Sequence, residues 1–94
     1  MAANILLVED ETGIQELLKF NLTKAGHQVS VSGDAEHALQ FLKTTLPDVI
    51  LLDWMLPGMS GIDLCRRLRS DERYQPIPII MLTARGEERD KVLG

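Results

Sequence analysis

Two short apolar runs of this sequence each end directly in carboxylate residues. Residues 5–8 run into Glu9 and Asp10, and residues 49–52 run into Asp53. Short, wholly apolar runs are typical of the buried parallel strands of α/β folds. Because the carboxyl ends of parallel strands meet at one edge of the sheet, the three acids are expected to lie together at the ligand-binding edge. Three neighbouring carboxylates repel one another, so this pattern predicts a bound divalent cation.

Apolar runs and helical patterns alternate along the whole chain. The predicted strands cover residues 4–8, 27–32, 49–52 and 79–82, each followed by a helical segment, the last of them at residues 87–93. Such alternation requires right-handed crossovers and gives a parallel sheet with helices on both faces. The 27–32 run mixes polar and apolar residues, which places it at an edge of the sheet. We therefore expect an α/β fold with a doubly wound parallel sheet.

The helix boundaries are marked by capping and turn residues. Thr12 is followed three residues later by Gln15, which is the spacing of a capping box. Gly33 and Asp34 open the second predicted helix, and a loop at residues 57–61 precedes the third. The first helix, which Gly26 ends, is expected to turn a stripe of apolar side chains inward, namely Ile14, Leu17, Leu18, Leu22 and Ala25.

The composition excludes several classes of protein. A chain of 94 residues forms one domain at most, and its net charge of −4 argues against direct nucleic-acid contact by this segment. No apolar run approaches the roughly 20 residues that a membrane span needs. With one cysteine, Cys65, no internal disulfide is possible, and no export signal is recognisable. The expected location is cytoplasmic.

Asp53 has the chemistry of a phosphoryl acceptor. A carboxylate can attack phosphorus and form an acyl phosphate, and this transfer needs a hard cation such as Mg²⁺ to neutralise charge. Asp10 and Asp53 would supply ligand oxygens, with Glu9 behind them or acting through a water, and a backbone carbonyl just after Asp53 would supply another. Thr83 and the Ala84 N–H follow a third strand, so they would reach the same edge and bind phosphoryl oxygens.

Each of these residues also allows a purely structural role. An aspartate that ends a strand often caps the next turn, and a threonine hydroxyl often caps a helix. Acids in the loop at residues 9–11 would also be stable in solvent near a helix N-terminus. What favours a site is the conjunction of such residues at the ends of three strands.

Three stretches resemble the receiver domain of two-component response regulators. They are LLVEDE at residues 6–11, ILLDWMLPGMSG at residues 50–61 and PIIMLTARGEE at residues 78–88. The sequences of these stretches are most similar to those of the winged-helix transcription-factor branch and, within it, to those of regulators of the phosphate regulon. The resemblance covers essentially the whole chain. It implies a flavodoxin-like receiver fold with strand order 2-1-3-4.

The resemblance implies a role for each matching residue. Asp53 would be the phosphoacceptor, and Glu9 and Asp10 would be the acidic Mg²⁺ pair. The remaining positions would complete the site, and they are the Met55 backbone carbonyl as a metal ligand, Thr83 as the switch hydroxyl, and Pro57 and Gly61 as residues that shape the adjoining loop. The implied partners are a sensor histidine kinase as donor and a second copy of the protein in a homodimer. Phosphorylation would control DNA binding by an attached effector domain.

The family pattern continues beyond the last residue of this sequence. It has a fifth strand, ending in a Lys-Pro pair whose lysine holds the phosphoryl group, and a fifth helix. The sequence ends at Gly94, and Lys91 lies in the predicted fourth helix. We therefore expect residues 1–94 to be a receiver domain truncated before the fifth strand, with no effector domain. The strand at residues 79–82 would then be an exposed apolar edge, prone to pairing with another chain.

Two other functions remain open from the sequence. A Mg²⁺-dependent phosphatase that works through an aspartyl-phosphate usually has a second acid two residues after its nucleophile, as a proton donor. That position is Met55, which cannot transfer a proton, so an enzyme is not expected. A module that cannot be phosphorylated and serves only for protein contacts is the third possibility, because the pattern's lysine is not in the sequence.

Overall fold

The computed structural model describes residues 2–82, in which three helices cover a four-stranded parallel sheet. The strands are β1 (Asn4–Val8), β2 (Gln28–Ser32), β3 (Val49–Asp53) and β4 (Ile79–Leu82), and the helices are α1 (Thr12–Lys24), α2 (Ala35–Thr44) and α3 (Gly61–Arg69). The sheet order is β2-β1-β3-β4, and all neighbouring strands are parallel. The predicted α/β class and the 2-1-3-4 order are both confirmed.

The centre of the sheet is the most deeply buried part of the molecule. In β1, Leu6, Leu7 and Val8 are fully buried, since side chains on both faces of a central parallel strand lie beneath helices. Val8 lies level with Leu52 of β3 and with Ser32 of β2. This register brings the residues that follow β1 and those that end β3 to the same height at one edge of the sheet.

The main core lies between the sheet and the pair α2 and α3. Its buried residues come from alternate positions of β1 and β3, from both helices and from the segment before β4, and they are Leu6, Val8, Ala35, Ala38, Leu42, Ile50, Leu52, Leu56, Leu64, Leu68, Tyr74 and Ile77. The Arg69 guanidinium donates hydrogen bonds to the carbonyls of Gln75 (2.6 Å) and Ile77 (3.0 Å). These bonds tie the end of α3 to the segment that enters β4.

Helices α2 and α3 begin where the sequence predicts. Asp34 caps α2 by accepting a hydrogen bond from the His37 N–H at 2.8 Å, and Ser60 caps α3 by accepting one from the Asp63 N–H at 3.1 Å. Each cap satisfies a backbone donor of the first turn, which has no partner within its own helix.

Helix α1 differs from the sequence prediction in two ways. Its N-cap is Glu11, which makes no side-chain cap, so the capping box predicted at Thr12 and Gln15 is wrong. No residue of α1 is buried, and Leu17, predicted to point inward, is 61% exposed. Helical spacing gives the period of an apolar stripe but not the width that the sheet covers, so a residue at the margin of the stripe is easily misplaced.

Strand β4 is the last element that the structure describes, and its side chains are partly exposed. In β4, Ile80 and Met81 are 52% and 36% exposed. Thr83, Ala84 and the helix predicted at residues 87–93 lie outside the described residues. Within residues 2–82, no helix has the length and apolar character needed to cross a bilayer.

Candidate functional site

The ends of β1 and β3 bring three carboxylates together. Glu9, Asp10 and Asp53 each offer an oxygen, and these oxygens lie within 4.8 Å of one another. Glu9 and Asp53 are fully buried, whereas Asp10 is exposed. The register explains the cluster. Val8 and Leu52 are paired in the sheet, and Glu9 directly follows the first and Asp53 directly follows the second. The site is therefore a buried acidic floor with one side open to solvent.

Glu9 is held firmly at the end of β1. Its backbone N–H donates to the Ser32 carbonyl at 3.0 Å, and its Oε2 accepts a hydrogen bond from the Glu11 N–H at 3.0 Å. The other oxygen, Oε1, is buried and has no hydrogen-bond partner among residues 2–82. A buried carboxylate oxygen without a partner is costly, so this arrangement indicates a ligand that supplies positive charge.

The electrostatics of Glu9 agree with this geometry. Burial raises the pKa of Glu9 from 4.5 to about 7, the Glu11 N–H lowers it in part, and the negative charges of Asp53 and Asp10 raise it further. Of these contributions, only the hydrogen bond from the Glu11 N–H favours the ionised carboxylate, and the others favour its protonated form. The clustered charge is thus a cost of the metal-free fold, and a bound cation would relieve it.

The cluster fits a hard divalent cation. Mg²⁺ takes oxygen ligands and usually keeps waters, so a site with one open side and a few carboxylates suits it better than a closed cage. Glu9, Asp10 and Asp53 supply only oxygen donors, with no soft sulfur or imidazole ligand among them. These three side chains are the ones that would hold the cation.

The loop after β3 folds back over the end of the strand. Asp53 Oδ1 accepts a hydrogen bond from the Met55 N–H at 3.3 Å. The Trp54 N–H donates to the Leu82 carbonyl at 3.1 Å, and the Trp54 carbonyl accepts from the Gly61 N–H at 2.9 Å. These bonds fix the backbone of the two residues that follow Asp53, while Met55 itself is 51% exposed.

Gly61 allows α3 to begin directly against the end of β3. A Cβ at this position would overlap the Asp53 carbonyl oxygen and would lie 3.0 Å from the Trp54 Cα. Since all these atoms belong to the backbone, they cannot move aside as a flexible side chain would. Pro57, the other loop residue singled out by the sequence, is exposed and lines a cleft between this loop and the start of α2.

Gln15 is a site residue that the sequence reasoning missed. Its side-chain amide donates a hydrogen bond to the backbone carbonyl of Glu9, and its own N–H donates to the Glu11 carbonyl at 2.9 Å. Gln15 therefore ties the loop that carries the acids to the first turn of α1. The sequence signal was present but was interpreted as a capping box with Thr12.

A family comparison matches this arrangement over nearly the whole chain. Residues 5–93 match the response regulator receiver domain. The chain belongs to this family. Among receiver-domain relatives, the phosphate regulon transcriptional regulatory protein PhoB of Rhizobium meliloti is 49% identical over 94 residues. The alkaline phosphatase synthesis transcriptional regulatory protein PhoP of Bacillus subtilis is 47% identical over the same length. The predicted similarity to regulators of the phosphate regulon is confirmed.

These relatives are longer than the chain described here. Both alignments cover 100% of this chain but only 41% of the PhoB protein and 38% of the PhoP protein. The receiver sequence thus spans about two fifths of the length of such regulators.

Solved receiver structures share the fold. A response regulator from Chloroflexus aurantiacus superposes with a TM-score of 0.88 at 36% identity, over 100% of this chain and 77% of that one. The receiver domain of the sensor histidine kinase PA1611 from Pseudomonas aeruginosa gives a TM-score of 0.85 at 32% identity, over 98% and 75% of the two chains. That domain has a magnesium ion coordinated in its active-site cleft.

Proposed function

We propose that residues 1–94 act as the receiver module of a two-component response regulator, in which Asp53 accepts a phosphoryl group from a sensor histidine kinase with Mg²⁺. The observation that carries this proposal is the convergence of Glu9, Asp10 and Asp53 within 4.8 Å at one edge of the sheet. Membership of the receiver-domain family and the magnesium in the PA1611 domain support it.

The metal ligands would come from both strand ends. Asp10 and Asp53 would contribute carboxylate oxygens, Met55 its backbone carbonyl, and Glu9 would act from behind or through a water. Bound Mg²⁺ would neutralise negative charge on the carboxylates and on the phosphoryl oxygens during transfer. Glu9 Oε1, buried without a hydrogen-bond partner in residues 2–82, would then face a positive charge.

The transfer itself needs little from the protein besides position and charge. An Asp53 carboxylate oxygen attacks the phosphorus of a phosphohistidine, the P–N bond breaks, and the departing imidazole takes up a proton. The Met55 N–H, 3.3 Å from Asp53 Oδ1, helps to hold the carboxylate for the attack. Gly61 and Pro57 shape the loop that leaves this face open.

The output of the module would be a change of conformation. Thr83 would turn its hydroxyl toward the phosphoryl group, and the Ala84 N–H would donate to a phosphoryl oxygen. The resulting shift between two states would control homodimerisation and DNA binding by an effector domain in the longer regulator. This is a signalling role in the cytoplasm rather than turnover of a substrate pool.

A phosphatase function has less support. Met55 occupies the position two residues after Asp53, and its thioether cannot donate a proton to a leaving group. The remaining alternative, a module for protein contacts alone, does not require the carboxylates to converge and leaves the buried Glu9 oxygen unexplained.

Phosphoramidate, a small donor with a P–N bond, tests the proposal. The chain is incubated with phosphoramidate and Mg²⁺, and its intact mass is measured. We expect the mass of one phosphoryl group to be gained, and to be lost with EDTA or in Asp53→Asn. Asp63→Asn, which alters an exposed aspartate in the first turn of α3, is the matched control and should still be modified. Equal modification of the Asp53→Asn protein would overturn the assignment.

A further inference from the structure

A small cleft lies between α2 and α3, at the end of the molecule opposite the acidic cluster. It has a volume of about 90 Å³, and three cationic side chains line it, those of Lys43, Arg67 and Arg73. Because α2 and α3 run antiparallel to the strands, their C-terminal turns lie at the other edge of the sheet from Asp53. A partner bound in the cleft would therefore leave the acidic cluster accessible.

The charge of this cleft is opposite to that of the chain as a whole. The chain carries 14 acidic and 10 basic residues, yet three cations and a single carboxylate, Asp71, line the cleft. Cations in the last turn of a helix interact favourably with its dipole, but that effect does not require cations of two helices to face one shared cleft. The cleft is thus a local positive site on an acidic domain.

Two of the three cations are available for a partner. Within residues 2–82, neither Lys43 nor Arg67 forms an ion pair, and both are exposed. Arg73 is already held in place, since its guanidinium pairs with Asp71 at 3.1 Å and lies 4.8 Å from the centre of the Tyr74 ring. One fixed and two unpaired cations can receive more than one carboxylate.

The floor of the cleft consists of apolar side chains that also belong to the core. Leu68 and Tyr74 are buried, and the Tyr74 hydroxyl donates a hydrogen bond to the Leu42 carbonyl at 3.3 Å. Leu39 packs against the same core. An apolar floor rimmed by cations matches a peptide that carries an apolar side chain between carboxylates, because the apolar group gains burial while the charges pair at the rim.

We propose that the cleft formed by Lys43, Arg67 and Arg73 docks an acidic segment of a partner protein, with an apolar residue of that segment on the floor. The site does not depend on phosphorylation of Asp53. Its contacts are exposed ion pairs, so the binding is expected to be weak and to fall as salt rises.

A labelled peptide in which pairs of glutamates flank single leucines tests this proposal. Fluorescence anisotropy measures its affinity, and amide chemical shifts locate it. We expect shifts centred on residues 39–43 and 67–74. The double variant Lys43→Glu, Arg67→Glu should bind at least about tenfold more weakly, because two pairs become repulsive. The matched control, Lys19→Glu with Lys24→Glu on exposed positions of α1, makes the same change of charge and should bind normally.

Several results would overturn the proposal. They are no binding of the peptide to the folded wild-type protein, equal affinity in the double variant, an equal loss in the α1 control, or tighter binding of a single-stranded oligonucleotide than of the peptide. Circular dichroism checks that each variant folds. If charge reversal unfolds the chain, Lys43→Gln with Arg67→Gln takes its place and should bind more weakly than the wild type, and unchanged affinity there would equally refute the site.

Discussion

Replacing Glu9 by glutamine is expected to stabilise the metal-free protein at alkaline pH. Glu9 is fully buried, and burial together with the charges of Asp53 and Asp10 raises its pKa from 4.5 to about 7. A carboxyl group whose pKa is raised by folding binds its proton more tightly in the folded state. Stability is therefore highest while Glu9 is protonated in the folded protein, and it falls as pH rises from the unfolded value through the folded one.

The size of the effect follows from that change in pKa. One pKa unit corresponds to about 1.4 kcal/mol, so the rise from 4.5 to about 7 amounts to a cost of about 3 kcal/mol once Glu9 is ionised in both states. Most of this cost, about 2 kcal/mol, develops between about pH 5 and about pH 8. Glutamine keeps the shape of the side chain but cannot ionise. The loss of stability that ionisation of Glu9 causes over this pH range should therefore be absent in Glu9→Gln.

Urea denaturation in EDTA measures the difference directly. The free energy of unfolding of the wild type and of Glu9→Gln is compared at about pH 5 and about pH 8, where the variant should gain about 2 kcal/mol relative to the wild type. Titrating groups that do not interact with Glu9 are common to both proteins and cancel in the comparison. Glu16→Gln, at an exposed position of α1, is the matched control, and its effect should stay within about 0.5 kcal/mol at either pH.

Magnesium should reverse the order of stability. A ligand that binds only the folded state stabilises it by about 2.7 kcal/mol when its concentration is a hundred times its dissociation constant. Glu9→Gln should gain less stability from Mg²⁺, because the variant lacks the negative charge of the Glu9 carboxylate. The wild type should also bind Mg²⁺ more weakly as pH falls below about 7, where a proton on Glu9 competes with the metal. A variant destabilised equally at both pH values, with unchanged gain from Mg²⁺, would show that the charge of Glu9 does not destabilise the metal-free protein.

Three further predictions concern the scaffold of the site, and thermal or urea unfolding checks each. Gly61→Ala should cost at least about 1–3 kcal/mol of stability, because the added Cβ would overlap the backbone at the end of β3. Gly13→Ala in α1 should instead stabilise the protein by about 0.5–1 kcal/mol, because the space around Gly13 is open. Equal effects of the two substitutions would contradict the close approach of α3 to β3. Asp34→Ala should cost about 1 kcal/mol by removing the cap of α2, and no loss would show that the cap is dispensable. Leu64→Ala should lower the free energy of unfolding by about 2–5 kcal/mol, because Leu64 is fully buried. Leu17→Ala should change it by no more than about 0.5 kcal/mol, because Leu17 is 61% exposed, and a large loss there would mean that α1 packs differently.

The strands and the acidic cluster were predictable because their signals are local. A wholly apolar run of four or five residues has few alternatives to a buried parallel strand, and the residue after it must lie at the sheet edge. Glu9 and Asp53 follow such runs directly, so their meeting needed only the assumption that both strands share a sheet. The starts of α2 at Asp34 and of α3 at Ser60 were likewise predictable, because each side chain caps a backbone N–H only three residues further along the chain.

The features that the sequence did not reveal depend on tertiary contacts. The side chain of Gln15 has two plausible partners: its amide oxygen could accept from the backbone N–H of Thr12, as in a capping box, or its amide nitrogen could donate to the carbonyl of Glu9. Only the packing of α1 against the loop decides for the second. Leu17 has the spacing of an inward residue, yet it is 61% exposed, because spacing alone does not say which residues of the stripe are covered by other elements. The requirement for Gly61 likewise comes from the approach of α3 to the Asp53 carbonyl, a distance that no sequence pattern specifies.

The position of the phosphoryl group distinguishes Asp53 from every other aspartate as the acceptor. The chain is treated with phosphoramidate and Mg²⁺ and then with borohydride, which reduces a phosphorylated aspartate to homoserine, and the peptides are sequenced by tandem mass spectrometry. Phosphoryl transfer to Asp53 predicts homoserine at position 53 and at no other aspartate, and none when EDTA replaces Mg²⁺. Homoserine at another aspartate, or none at position 53 in folded protein that binds Mg²⁺, would contradict it.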